Sequence, residues 1–139
     1  MPLIKVNSIV KGGTLEEKIN TNNAVIVYHW NSCGHCKAFM PLLHKVLETN
    51  DELKSQANVF EIEYSNFNYI PYYLRNVNAF PYIVAYSRGK LIEEFNDQRT
   101  LPKIEAFLSR NSNMSSSSTS SNTRKKRILK KYSMMSKSN

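Results

Sequence analysis

Apolar and polar positions follow two different periods along this chain, and the change from one period to the other predicts strands and helices in turn. A continuous apolar run over residues 24–28, rich in β-branched side chains, predicts a strand that is buried on both faces. Four further strands are predicted over residues 3–8, 58–64, 81–86 and 91–95. The short turn at Arg88 and Gly89 joins the last two strands into an antiparallel hairpin.

Between these strands, apolar residues recur at intervals of three and four positions, which is the period of a helix packed on a sheet. The clearest such stripe consists of Phe39, Leu42, Leu43, Val46 and Leu47. Thr14 and Glu17 fit a capping box, which predicts a short helix that ends near Asn20. Two more helices are predicted over residues 71–75, with Pro71 in the first turn, and over residues 101–109. This order of elements predicts an α/β fold with a central mixed sheet flanked by helices.

The composition changes near residue 111 and divides the chain into three parts. Residues 1–111 have the length and apolar content of one domain. Residues 112–123 are rich in serine and predict a flexible linker, and residues 124–139 predict a disordered basic tail. The net charge of +8 belongs mainly to this tail, which holds seven Lys and Arg side chains and no acidic one. The predicted domain is therefore close to neutral.

The basic segment RKKRILKK leaves several partners open. It fits a nuclear-localisation signal, a contact with nucleic acid or an anionic membrane, or a solvated run of charge. Any contact between the tail and a polyanion should weaken as salt is added. The chain shows no apolar stretch typical of a signal peptide or a membrane span, so we expect a cytoplasmic location. Nuclear or virion association stays open, the latter because the composition resembles that of AT-rich genomes such as those of large DNA viruses.

Cys33, Gly34, His35 and Cys36 form the motif that carries the candidate chemistry. The two cysteines, the only ones in the chain, are too close in sequence to cross-link distant parts of a fold. Cys33 is predicted just before the first turn of a helix, where unpaired N–H groups and the helix dipole favour a thiolate. Such a thiolate attacks disulfides, and Cys36, one turn later, would resolve the mixed disulfide. A protonated His35 would stabilise the reduced pair and make its disulfide a stronger oxidant.

Metal and haem binding fit this motif poorly. Zinc would need two ligands besides the cysteines, and the histidines of the chain are His29, His35 and His44, none of which is well placed for it. Covalent haem attachment requires a histidine where Lys37 stands. We therefore expect neither a metal nor a dissociable cofactor. His29 and His44 are interpreted as packing or surface residues, and Tyr69, Tyr72 and Tyr73 as part of the core.

The segment WNSCGHCKAFMPLL resembles the active-site helix of the thioredoxin superfamily, and CGHC is the form found in the catalytic domains of protein disulfide isomerases. The resemblance implies a thioredoxin fold over roughly residues 1–110, with Pro41 as the proline that kinks the helix. Pro81 matches the cis-proline of the family, and Phe80 and Pro81 would form the edge that docks the client peptide. Trp30 would border that groove. Arg99, within FNDQRTLPKIEAFL, matches an arginine that assists proton transfer at the cysteines.

The chain also departs from the family at positions that matter. The family usually carries a buried carboxylate six residues before the first cysteine, and this position is Val27. Ser32 replaces a common tryptophan, and Tyr82 follows the proline where threonine is frequent. The loss of the carboxylate predicts a slower resolving step, or one that depends on Arg99 and water.

Two functions of different classes follow from these observations. The first is a thiol–disulfide oxidoreductase that forms, reduces or isomerises disulfides in protein substrates through the Cys33–Cys36 pair. Such an enzyme would act as a monomer and would need a reductase or oxidase partner to reset the pair. The second is a thioredoxin-fold interaction module with low turnover, tethered by its basic tail to nucleic acid or to an assembling particle.

Overall fold

The computed structural model describes residues 3–7 and 12–113. Within them, five strands form one mixed sheet in the order β1-β3-β2-β4-β5. The strands are β1 (Leu3–Lys5), β2 (Asn23–His29), β3 (Val59–Glu63), β4 (Tyr82–Ser87) and β5 (Lys90–Glu94). β1, β3 and β2 are parallel to one another, whereas β4 is antiparallel to both β2 and β5. The predicted central mixed sheet is confirmed.

Helices cover both faces of the sheet, as predicted. They are α1 (Gly12–Thr21), α2 (Gly34–Thr49), α3 (Asp51–Gln56) and α4 (Leu101–Arg110), with 3-10 helices at Tyr64–Tyr69 and Tyr72–Leu74. The predicted capping box is wrong, because α1 begins at Gly12 and Thr14 already lies inside its first turn. The predicted basic tail lies outside the described residues, and so does the predicted linker apart from Ser112 and Asn113.

Alternate side chains of β2 enter two separate cores, which explains its unbroken apolar sequence. Val25 and Val27 pack with α2, α3 and α4, whereas Ile26 and Tyr28 pack with α1 and the chain between β3 and β4. Every residue from 24 to 28 is at most 2% exposed. The prediction that this strand is buried on both faces is confirmed.

The aromatic residues before β4 differ from expectation. Tyr72 and Tyr73 are 83% and 59% exposed, so the interpretation that they belong to the core is wrong. They lie in a 3-10 helix of three residues, in which Leu74 is the side chain that turns inward. Tyr69 does pack partly against the core.

The sheet and α2 together create the place where the cysteines lie. β2 ends at His29, a short loop follows, and α2 begins immediately after Cys33. Pro41 lies inside α2. None of the helices in the described ranges has the length and hydropathy needed to cross a bilayer.

Candidate active site

Cys33 occupies the N-cap of α2, where its backbone is extended (φ −97°, ψ 121°). Its N–H donates to the carbonyl of Trp30 at 2.9 Å, which fixes the loop between β2 and α2. The pKa of Cys33 lies below its ordinary value, chiefly because the N–H of Cys36 and then the Cys36 thiol donate to its sulfur. The N–H of His35 and the charge of Arg99 act in the same direction. These donors and this charge favour the thiolate form of Cys33, which is the direction that the sequence predicts.

Cys36 lies in the first turn of α2, and its environment is the opposite of that around Cys33. The residue is 2% exposed, and burial raises the pKa of its thiol to about 11. Both cysteines are free thiols in this structure. The pair thus combines an accessible sulfur whose surroundings favour the anion with a buried sulfur whose surroundings favour the thiol.

Residues before β4 face Cys33 across the site. The peptide bond between Phe80 and Pro81 is cis, and Pro81 is buried directly before the strand begins. The thiol of Cys33 donates to the carbonyl oxygen of Phe80 at an S–O distance of 3.4 Å. The backbone of Phe80 thus lies within reach of any chain that approaches the Cys33 sulfur.

Four aromatic rings surround this approach, and two of them were not anticipated. Trp30 contacts Tyr64 and Phe80 at centroid distances of 5.7 and 6.2 Å. Phe67 contacts Tyr64 and Phe80 at 5.2 and 6.1 Å. Trp30 and Tyr64 are 41% and 51% exposed, so the cluster offers apolar surface to solvent beside the cysteines. Tyr64 and Phe67 lie in the 3-10 helix after β3, for which the sequence shows no helical period.

The remaining predicted residues lie around the same centre. Gly34 and His35 are exposed in the first turn of α2, and a Cβ added at Gly34 would meet open space. Arg99 is exposed and lines a groove of about 880 Å³ together with Val77 and Pro81. Its positive charge lowers the pKa of both cysteines. The structure therefore brings Arg99 within electrostatic range of the sulfurs, although 63 positions separate it from Cys36.

A buried carboxylate on the other side of Cys36 is the feature that sequence reasoning missed. Glu61 of β3 is 3% exposed and faces a cavity of about 700 Å³ that Cys36 also lines. The Nε2 atoms of His29 and His44 lie 3.6 and 3.9 Å from the same oxygen, Oε2 of Glu61. The sequence signal for this buried carboxylate is an acidic residue at the centre of the strand VFEIE, with apolar residues on either side. The described residues contain no group of three or more His, Cys, Asp or Glu side chains arranged to hold a metal ion.

The register of the sheet places Glu61 beside the position where the family resemblance implied a carboxylate. Val27 of β2 is the direct partner of Glu61 on the parallel strand β3. Partners in register on neighbouring strands project from the same face of a sheet. Val27 itself is fully buried against α2. The face beneath Cys36 therefore carries an acidic group after all, one strand away.

Comparison with known proteins shows the family of this chain. The family model described as Thioredoxin matches residues 6–110. The chain belongs to the thioredoxin family. The predicted thioredoxin fold is thereby confirmed. No match was found among the curated proteins.

Solved structures show the same fold at low sequence identity. The first two thioredoxin domains of Naumovozyma dairenensis Eps1p match with a TM-score of 0.60 and 20% identity, over 71% of this chain and 38% of that chain. The zinc-bound form of human ERp44 matches with a TM-score of 0.61 and 10% identity, over 78% and 30%. The thioredoxin of Malassezia sympodialis matches with a TM-score of 0.61 and 18% identity, over 80% and 94%. The chain thus spans about a third of the first two of these structures.

Proposed function

We propose that this protein is a thiol–disulfide oxidoreductase that acts on cysteines of other proteins. The observation that carries the proposal is the contrast between the two sulfurs. Cys33 is accessible and its pKa is lowered by donors at the start of α2, whereas Cys36 is buried and its pKa is raised to about 11. A thiolate is the form that attacks a disulfide, so this contrast favours Cys33 as the nucleophile and leaves Cys36 as the resolving thiol.

The chemistry proceeds in two exchanges. The thiolate of Cys33 attacks one sulfur of a client disulfide, forms a mixed disulfide and releases the other client sulfur as a thiolate. Cys36 then loses its proton and attacks the Cys33 sulfur, which forms the Cys33–Cys36 disulfide and releases the second client sulfur. The client gains two electrons and the protein pair loses two. The reverse sequence oxidises a client dithiol, so no dissociable cofactor is required in either direction.

The surroundings of Cys33 support a role in holding an extended client chain. The carbonyl of Phe80 is a hydrogen-bond acceptor 3.4 Å from the Cys33 sulfur, next to Pro81. Trp30 and Tyr64 add exposed aromatic surface on the same side. The N–H of His35 donates to the sulfur of Cys33, and Arg99 supplies positive charge for the anion. We assign client docking to Phe80, Pro81 and Trp30 on this basis.

From the CGHC sequence we expect a reduction potential nearer to that of protein disulfide isomerase than to that of thioredoxin. Reduction potentials span about −270 mV for thioredoxin and about −180 mV for protein disulfide isomerase. Positive charge at His35 would stabilise the thiolate form of the reduced pair and raise the potential. The proposal includes a monomeric enzyme that a separate reductase or oxidase resets.

Insulin reduction by dithiothreitol, followed as turbidity, tests this function. The wild type should accelerate precipitation of the insulin B chain, and Cys33→Ser should remove the acceleration. Cys36→Ser keeps the nucleophile and is the matched variant: it should accumulate a covalent adduct with a client, which Cys33→Ser cannot form. If the wild type and Cys33→Ser reduce insulin equally slowly, the protein is not an oxidoreductase of this kind.

A further inference from the structure

The resolving step needs a group that removes the proton of Cys36. A thiol with a pKa of about 11 is ionised in about one molecule in 10,000 at pH 7. Cys36 is also 2% exposed, so bulk solvent has little direct access to its sulfur. The place to look for a proton acceptor is therefore the cavity that Cys36 lines.

Glu61 meets the requirements for such an acceptor. Glu61 lines that cavity, and the residue is 97% buried. Within residues 3–7 and 12–113, its Oε1 atom has no hydrogen-bond partner. A buried carboxylate oxygen without a donor is costly unless it takes part in another interaction. This oxygen is available to accept a proton.

The other charged and titratable groups that face the cavity are less suitable. They are Lys5 on β1, His29 on β2, Glu63 on β3, and Cys36, Lys37 and His44 on α2. The lysine ammonium groups are hydrogen-bond donors and have no acceptor atom. Both oxygens of Glu63 already accept hydrogen bonds, from the N–H of Asn31 at 2.9 Å and from Ser65.

Two histidines, His29 and His44, lie next to the carboxylate of Glu61. Their Nε2 atoms both approach Oε2 of Glu61, at 3.6 Å for His29 and 3.9 Å for His44. The pKa of His29 is lowered chiefly by burial, which makes its imidazole a weaker proton acceptor than that of an exposed histidine. The side chain of His44 is 44% exposed, so it connects the buried carboxylate with solvent.

We propose that Glu61 is the proton acceptor for Cys36 and that His44 returns the proton to solvent. The proposal rests on the function proposed above and names the base of its second step. The carboxylate belongs to β3, whereas the family resemblance implied one on β2 at the position of Val27, its partner in register. The assignment is an alternative to the expectation of a slower resolving step, or of one that depends on Arg99 and water.

In the proposed resolving step, water in the cavity carries the proton of the Cys36 thiol to the carboxylate of Glu61, which becomes neutral. The Cys36 thiolate attacks the Cys33 sulfur of the mixed disulfide, the bond between Cys33 and the client breaks, and the client thiolate leaves with the electron pair. Glu61 then passes the proton through His44 to solvent or to the departing thiolate. In client oxidation the same groups deliver the proton to Cys36.

The test follows the resolving step alone, with oxidised glutathione as the probe. The reduced protein attacks glutathione disulfide, and acid quenching with intact-mass measurement counts the chains that carry one glutathione. The decay of this mixed disulfide is first order and reports the attack by Cys36. In the wild type, the rate should be nearly independent of pH between about pH 6 and 8, because Glu61 rather than hydroxide removes the proton.

Three variants separate a base from a structural residue. Glu61→Gln should slow the decay by about 100-fold at pH 7, within the range known for general bases, and the rate should then rise tenfold per pH unit. Glu61→Asp should restore the level pH profile, because it keeps a carboxylate. Glu63→Gln is the matched control on the same strand and cavity, and it should keep the wild-type profile.

The outcomes are distinguishable from failure of the proposed function. If the mixed disulfide with glutathione never forms, the oxidoreductase proposal fails at Cys33. If it forms and its decay in the wild type already rises tenfold per pH unit, Glu61 is not the acceptor. That wild-type measurement decides the matter even where Glu61→Gln fails to fold. Equal pH profiles for Glu61→Gln and the wild type would likewise overturn the assignment.

Discussion

Moving the carboxylate from β3 to β2 tests the arrangement of the sheet beneath Cys36. Val27 and Glu61 are partners in register on adjacent parallel strands, and both are buried. Neighbouring strands lie about 4.8 Å apart, so Val27→Glu would place two carboxylates about 5 Å from each other. At an effective dielectric constant of about 20, two unit charges at that distance repel by about 3 kcal/mol.

The single substitution should therefore lower the free energy of unfolding by about 3 kcal/mol at pH 7. The double variant Val27→Glu with Glu61→Val keeps one carboxylate and should recover most of that loss. Repulsion raises the folded-state pKa of each carboxyl group in the single variant. The destabilisation is thus present above those values and should fade as the pH falls and one group becomes protonated.

Urea unfolding, followed by the fluorescence of Trp30, measures both variants at pH 7 and at about pH 4. Decay of the glutathione mixed disulfide should be as fast in the double variant as in the wild type, within about tenfold, because a carboxylate still faces the cavity. Two results would refute the reasoning. One is a single variant as stable as the wild type at pH 7, and the other is a double variant as unstable as the single one.

Further predictions concern the cysteines, Arg99 and the core. Iodoacetamide at pH 7 should modify Cys33 faster than free cysteine and should leave Cys36 unmodified. The rate of Cys33 modification should fall once the pH drops below its lowered pKa. Equal modification of Cys33 and Cys36 in peptide mass maps would contradict the assignment. Arg99→Gln removes a charge that favours the thiolate, so the pH profile of Cys33 alkylation should shift to higher pH. The free energy of unfolding should change by no more than about 0.5 kcal/mol, because the side chain is exposed. An unmoved profile would argue against the role of Arg99. Phe107 is 1% exposed and packs on Phe95, so Phe107→Ala should lower the free energy of unfolding in urea by about 3–5 kcal/mol. A loss of less than about 1 kcal/mol would contradict the packing described.

Most of the fold follows from local periodicity. The buried run of β2 and the three-and-four spacing of α2 come from side chains that face known directions once the element forms. The border between α2 and α3 did not follow, because one residue serves both helices. The N–H of Asn50 bonds to the carbonyl of Val46 in α2, while its side chain accepts the N–H of Leu53 in α3. No glycine or proline marks that break.

Part of the candidate site could be predicted from the sequence and part could not. The roles of Cys33 and Cys36 depend on a helix start that is visible in sequence, so their placement was predictable. The environment of Glu61 depends on the register between β2 and β3 and on the side of the sheet that α2 covers. These are long-range properties, which hydrophobic period does not encode. From the sequence, His29 and His44 were therefore interpreted as packing or surface residues, although both approach the buried carboxylate.

Whether the two cysteines work as one two-electron couple is decided by a redox titration against glutathione. The full-length protein is equilibrated at graded ratios of reduced to oxidised glutathione, and the intact mass reports the state of Cys33 and Cys36. We expect a single transition to an intramolecular disulfide, with a potential between about −270 and −180 mV and nearer to the latter value. Cysteines that stay reduced, or that form only separate adducts with glutathione, would contradict the proposed function.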